Sequence, residues 1–267
     1  MRSAVIMPTL ARDGWDRFVP DLLAQSRPAD EIIIVVDRPL PEAEQQQMTA
    51  QWPQLRFLFN PANIGITRSL NRALGATEAD IIFRADDDDM CLPRRFERQI
   101  ELLTESGADF VTSWAEGVAD GDEANRYLIR CPVDDAAIRA ALMRRNVLVH
   151  PTLAFRRAPV MALGGYDESF VNAQDYALYL AGIRAGLRFA AVPEPLVRRY
   201  YHAGNISVAR RPQQMMYSCA ARVLHHAASG DRLAFVRTIG HYALLAATPM
   251  WARSARRRLF RLLGRGA

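Results

Sequence analysis

Ile81-Ile82-Phe83-Arg84-Ala85-Asp86-Asp87-Asp88-Asp89-Met90-Cys91-Leu92-Pro93 is the stretch on which the fold of this chain turns. Its first residues form a short apolar run that reads as a buried strand, and four consecutive aspartates leave the end of that strand. Pro93 then opens a helical pattern, Arg94 to Leu103, because a fixed φ and a missing N–H suit the first helical turn. Open α/β sheets bind ligands in the crevice outside the carboxyl ends of their strands. Two carboxylates about 5 Å apart repel by roughly 3 kcal/mol at an effective dielectric near 20. Four in succession therefore call for a cation, and hard oxygen ligands suit Mg²⁺ or Mn²⁺. Carboxylates also favour helix N-termini, so an acidic capping turn stays open beside the metal site. The buried strand in front weighs toward the metal.

Outward from this stretch, strands and helices alternate. Ala4–Met7 reads as a first buried strand closed by Pro8-Thr9, and Ile32–Val36 as a second that ends at Asp37. Such unalternating β-branched runs belong to strands covered on both faces of a parallel sheet. Helical spacing is expected over Trp15–Ser26, Pro41–Gln51 and Thr67–Ala76, with a strand at Leu55–Phe59 and a turn at Asn60–Gly65. This order predicts an α/β fold of right-handed βαβ units in a doubly wound sheet. Beyond Phe110 the alternation loosens. A helix is expected at Asp134–Arg145, a strand interrupted by Pro151 at Val147–Phe155, and a turn at Gly164-Gly165-Tyr166. A helix at Gln174–Ala185 and a strand at Phe189–Val192 follow, and the chain is helical by composition from Gln213 on.

Composition removes several activities. The 34 basic residues are all arginine, and the absence of lysine excludes a P-loop, a protein kinase and Schiff-base chemistry. A phosphatase of the haloacid-dehalogenase kind also carries Asp-x-Asp after a strand, and it too needs a lysine. The net charge of +5 belongs to the C-terminal end: residues 251–267 hold six arginines and no acid, leaving 28 basic against 29 acidic residues elsewhere. No nucleic-acid groove is expected. Trp251, Ala255, Leu259, Leu262 and Leu263 share one face of that end and the arginines the other, the pattern of an interfacial helix on an anionic membrane surface. A solvated helix packed on the domain stays open. Three scattered cysteines and no secretory h-region point to a reducing, cytoplasmic location, peripheral at the inner face of the plasma membrane. No apolar window is long enough to span a bilayer.

The order of these motifs resembles the family 2 glycosyltransferases of the GT-A fold, over roughly residues 3–207. Val5–Thr9 is similar to the family's opening strand and turn, and Asp30–Asp37 to its second strand. Asn63-Ile64-Gly65 through Asn71 resembles its N-x-G…LN segment. Asp86-Asp87-Asp88-Asp89…Pro93…Arg95…Gln99 resembles its DxDD…P…R…Q run. His150-Pro151-Thr152, Gly164–Asp167 and Gln174-Asp175-Tyr176 follow at family-like spacing. Arg38 stands where many relatives have glycine or aspartate, and the late Tyr-Arg-x-His pattern is met only in part by Arg199, Tyr200, Tyr201 and His202.

The resemblance implies a mostly parallel GT-A sheet with flanking helices and a C-terminal helical segment. Residues 1–115 would bind the nucleotide sugar, 116–207 would form the acceptor and catalytic half of the same domain, and 208–267 a helical tail. It implies an inverting transfer from a nucleotide-diphosphate sugar, uridine first and thymidine second, to a hydroxyl of a glycan or lipid-linked saccharide in cell-surface polysaccharide synthesis. The alternative is a catalytically inactive nucleotide-sugar-binding or scaffold protein on the same fold. Thr9, Asp37, Asn63, Arg68, Asp86, Asp87 and Asp88 would hold the nucleotide sugar. Asp88 and His202 would hold Mn²⁺ or Mg²⁺, and Asp175 would be the general base. His150, Gly165, Tyr166 and Gln174 would face the acceptor. Asp37 also suits a strand-end turn, and Asp175, three residues after Asn172, also suits a helix cap.

Overall fold

The computed structural model describes residues 1–119, 122–201 and 211–247. The apolar runs form the parallel half of the sheet. β1 (Ser3–Thr9), α1 (Val19–Leu23), β2 (Glu31–Val36), α2 (Glu42–Gln51), β3 (Arg56–Phe59), α3 (Ile66–Gly75) and β4 (Ile81–Arg84) follow one another. β1 lies between β2 and β4, and β3 pairs with β2, all in parallel. β1 and β4 are buried along their whole length and β2 from its second residue on, as expected for strands covered on both faces.

The second half is mixed. β5 (Asp89–Cys91), α4 (Arg95–Ser106), β6 (Phe110–Ala119) and β7 (Arg126–Ile129) precede α5 (Asp135–Leu142). β8 (Ala154–Arg156), α6 (Arg157–Ala162), α7 (Gln174–Arg184) and β9 (Phe189–Tyr201) complete it. The described strands form one sheet in the order β3-β2-β1-β4-β8-β6-β9-β5, with β7 on β6. β8 runs antiparallel to β4 and β6, while β6 and β9 are parallel. Phe83 stacks on Phe96 at 4.2 Å, which ties α4 to β4 directly behind the aspartates. Such a pair contributes about 0.5–1.5 kcal/mol beyond the area it buries. β6 crosses the expected division at 115/116 as one continuous strand. The chain forms two compact units, Met1–Ser218 and Cys219–Ala267, with α8 (Arg211–Ser229) and α9 (Arg232–Ala247) toward its end. No helix among the described residues is long and apolar enough to cross a membrane. His202 and the basic segment 251–267 lie outside the described residues.

Proline accounts for the main departures from the expected elements. The helix expected over Trp15–Ser26 shrinks to the five residues of α1, with Pro20 in its first turn and irregular turns before it. The strand expected at Val147–Phe155 becomes a 3₁₀ turn at His150–Thr152 and the short β8, since Pro151 cannot donate to a ladder. Conversely, β9 continues past Val192 through Pro193 and Pro195. Its register against β6 shifts around Trp114, opposite those prolines, and the irregularity absorbs the missing donors. Asp89 is not part of the turn after β4 but the first residue of β5, paired with Arg199 of β9.

Candidate functional site

The acidic turn between β4 and β5 places Asp86, Asp88 and Asp89 so that one carboxylate oxygen from each lies within 4.8 Å of the others. Two arginines hold this set, one buried and one half-buried. Arg84, 1 % exposed at the end of β4, pairs with Asp86. Arg199 of β9 donates to Asp89 at 3.1 Å and to the Tyr201 hydroxyl at 3.0 Å. Burial opposes the charge on both guanidiniums, yet the carboxylates outweigh it and leave both above their ordinary pKa. Burial pushes the Asp88 carboxyl up to about 6, and repulsion from Asp86 and Asp87 adds to it. Three convergent hard oxygens crowded in this way fit a divalent cation such as Mg²⁺ or Mn²⁺, which would relieve the repulsion.

Arg95 and Gln99 of α4, completely buried, brace the end of β4 that leads into the acidic turn. Arg95 donates to the backbone carbonyls of Arg84 at 2.7 Å and Leu153 at 3.3 Å, and to Gln99 at 3.1 Å. Gln99 in turn reaches the carbonyl of Thr152 at 2.7 Å. These two side chains fix the strand ends that carry the aspartates and the turn that carries His150.

The expected nucleotide side divides. The Thr9 hydroxyl bonds Asp87, whose carboxyl is raised by burial, so the ends of β1 and β4 are tied together. Asp37, 4 % exposed after β2, accepts from Asn60 Nδ2 at 2.7 Å and from the N–H groups of Ile64 at 2.8 Å and Gly65 at 2.9 Å. Its carboxylate organises the Asn60–Gly65 turn beyond β3. Asn63, on that turn, is exposed. Arg68, expected on the nucleotide, is exposed and pairs with Glu168 at 3.2 Å.

On the other side, Asp175 sits half-buried in the first turn of α7. Burial raises its pKa; the Tyr176 N–H, the Asn146 amide at 2.7 Å and Arg84 work against that rise. The helix begins at Gln174, which is buried, and its N-cap is Ala173 at φ 55° with no side-chain bond, so Asn172 does not cap it. Tyr166 is 1 % exposed, and its hydroxyl meets His150 Nε2 at 2.9 Å. Burial, then Arg84 and Arg199, hold the His150 imidazole well below its usual range, in the neutral form. Asn71 clamps the neighbouring turn by accepting from the Tyr166 N–H at 2.8 Å and donating to its carbonyl at 2.8 Å. Gly165 adopts φ +76°, and a Cβ there would stand 2.7 Å from Asn71 Oδ1. Arg84 acts electrostatically on Asp86, Tyr166, His150 and Asp175 alike, so one buried cation links the two sides.

Sequence reading gave no role to Arg84 or Asn146, and it named Asp89 and Asn71 only as members of their motifs. A charge inside the apolar run of β4 is a signal for Arg84, and the late arginine–tyrosine pattern is one for Arg199; Asn146 carries none.

The family model "Glycosyl transferase family 2" matches residues 4–164. The amylovoran biosynthesis glycosyltransferase AmsE of Erwinia amylovora is 29 % identical over 201 residues, 74 % of each chain. A glycosyltransferase of Haemophilus influenzae is 31 % identical over 71 % of this chain and 70 % of its own. The Escherichia coli UDP-Gal:alpha-D-GlcNAc-diphosphoundecaprenol beta-1,3-galactosyltransferase is 26 % identical over 63 % of this chain and 62 % of its own. Among solved structures, S. aureus TarS 1–349 in complex with UDP-GlcNAc superposes with a TM-score of 0.67 at 16 % identity, over 84 % of this chain and 66 % of that one. Against the longer TarS chain the shared part is 39 % of its length.

Proposed function

The chain belongs to glycosyl transferase family 2, and from that premise we propose that it moves a sugar from a nucleotide-diphosphate donor to a hydroxyl of a glycan or lipid-linked acceptor, with inversion, in polysaccharide biosynthesis. The observation that carries this reading is the convergence of Asp86, Asp88 and Asp89 at the carboxyl end of the parallel strands, with Arg84 joining them to Asp175. The printed names of two relatives, one with a UDP-sugar donor and a diphosphate-linked lipid acceptor, support the substrate classes. The uridine complex of the TarS fold supports uridine as first choice and leaves thymidine second.

In this reading Asp86, Asp88 and Asp89 hold Mn²⁺ or Mg²⁺, and a cation bound there supplies positive charge against the leaving diphosphate. Thr9 and the turn held by Asp37 line the base side, with Asn63 and Asp87 beside them. Asp175 takes the proton from the attacking acceptor hydroxyl, and a single displacement with a single base inverts the anomeric centre. Neutral His150 and the Tyr166 hydroxyl orient the acceptor without adding charge, and Gly165 and Gln174 shape its approach. Arg84 keeps Asp175 closer to ionisation than burial alone allows. The burial cost carried by Asp175 argues against a scaffold without turnover, since binding alone has no use for it. Residues 251–267 would bring the enzyme to an anionic membrane, and salt-sensitive vesicle binding should be lost when they are removed.

A panel of nucleotide sugars offered with Mn²⁺ or Mg²⁺, read by mass spectrometry of released nucleotide and product, tests the reading. Metal-dependent consumption of at least one uridine or thymidine donor is expected; no turnover of any donor would overturn it.

A further inference from the structure

An open pocket of about 300 Å³ lies beside Asp175, lined by Arg130, Arg144, Arg145 and Asn146 over a floor that includes Pro132 and Ala141. Asn146 belongs to both places: it lines the pocket and donates to Asp175 at 2.7 Å. The pocket therefore opens one residue away from the proposed base. Its three arginines come from two separate segments, the end of β7 and the residues after α5.

Nearby arginines show what is unusual here. Arg126 of β7 pairs with Glu123 at 2.5 Å, and Arg139 of α5 pairs with Asp135 at 2.8 Å. Among the described residues no carboxylate lies within 4.0 Å of Arg130, Arg144 or Arg145. The dipole of α5 favours cations at its C-terminus and accounts for Arg144 and Arg145 in part. It does not account for Arg130, which reaches the pocket from β7 and stacks over Trp114 at 5.2 Å. The carbonyls at that helix end are already engaged, since Ala141 accepts from Arg144 and Arg145 and Leu142 from the Tyr176 hydroxyl. Three exposed guanidiniums without a carboxylate partner line this one cavity, and planar forked donors match phosphate oxygens.

We propose that this pocket binds a phosphate or pyrophosphate group carried by the acceptor and thereby sets the acceptor hydroxyl against Asp175. The proposal rests on the reading of Asp175 as base and deepens it by assigning the site that recognises the phosphate of a phosphate-linked acceptor, on a lipid or otherwise.

The test is calorimetry in chelator-containing buffer of low salt, where the acidic turn cannot hold pyrophosphate through a metal. Inorganic pyrophosphate, geranyl pyrophosphate and an uncharged geranyl glycoside are titrated into the full chain and into Arg130→Gln/Arg144→Gln/Arg145→Gln. The parent should bind both pyrophosphates and not the glycoside. The triple variant should lose at least about 10-fold in affinity, since bonds to charged groups are the strong ones. It should bind UDP with Mn²⁺ as the parent does, which confirms that it is folded. Tighter binding of geranyl than of inorganic pyrophosphate supports a lipid-linked source, and equal binding supports recognition of the phosphate alone. No pyrophosphate binding by the parent, or unchanged binding by the variant, overturns the proposal. Loss of UDP–Mn²⁺ binding in the parent would instead bring down the proposed function while arginine-dependent anion binding stood.

Discussion

The acidic turn and the region around Asp175 both hold carboxylates away from water, but they resolve the cost differently. In the acidic turn, Asp86, Asp88 and Asp89 share one small volume, with Arg84 and Arg199 answering only part of their charge. Asp175 stands alone, eased by an amide, a backbone N–H and the distant Arg84. A crowd of like charges would be relieved by a bound cation. A solitary desolvated carboxylate is relieved by a proton. The first arrangement suits holding a metal–diphosphate, and the second suits taking a proton from an acceptor.

If that contrast is right, removing one member of the crowd has the largest effect. Asp88→Ala should weaken binding of UDP in the presence of Mn²⁺ by more than about 100-fold, because a metal-bridged diphosphate loses a ligand oxygen. The metal-free variant should be at least as stable as the parent at pH 7.5. The Asp88 carboxyl titrates near 6 in the folded chain, so above that pH its ionised form costs stability that alanine does not. Unchanged UDP–Mn²⁺ affinity would break the comparison at its acidic end.

How much of this contrast the sequence reveals depends on how locally each region is built. Asp86 to Asp89 are consecutive, and the strand before them is a plain apolar run, so the acidic cluster at the strand end follows from residue order. The partner of Asp89 does not, because Arg199 lies 110 residues away on a strand that passes through two prolines. Asp37 shows the converse: its place after β2 is legible, while its bonds to Ile64 and Gly65 depend on a turn whose path residue order does not specify. The region around Asp175 is assembled from Asn71, Asn146, His150 and Tyr166, four segments with no shared periodicity. Asparagines that clamp a turn look like any surface asparagine in a sequence.

The second test acts on Asp175 itself. Asp175→Asn keeps the shape and still accepts from Asn146, but cannot take a proton. Transfer should fall by a factor on the order of 100, with donor binding unchanged. Stability should move the other way. The folded-state pKa of Asp175 is raised, so the native state binds more protons than the unfolded one, and stability falls as pH rises through the folded value. The variant should therefore melt higher than the parent at neutral pH, with the difference fading as pH drops from the folded value toward the unfolded value near 3.9 and absent below it. Loss of stability together with full transfer would assign Asp175 a structural role.

The smallest effect, and the sharpest on mechanism, is expected from Asn146→Ala. Asn146 donates to Asp175 at 2.7 Å and so favours the ionised carboxylate. Without that bond the carboxyl holds its proton to higher pH. A base must be ionised to act, so the acid limb of the transfer rate should move toward higher pH, while the plateau above it should stay near that of the parent. A purely structural asparagine predicts another pattern, a drop in rate by one factor at every pH together with a lower melting temperature. Asn146→Asp separates the two further. A second carboxylate beside Asp175 raises its pKa by repulsion, so the limb should move in the same direction and farther than in Asn146→Ala. If neither variant moves the limb, the proton that limits transfer belongs to another group, and the contrast between a crowded and a solitary carboxylate loses its second half.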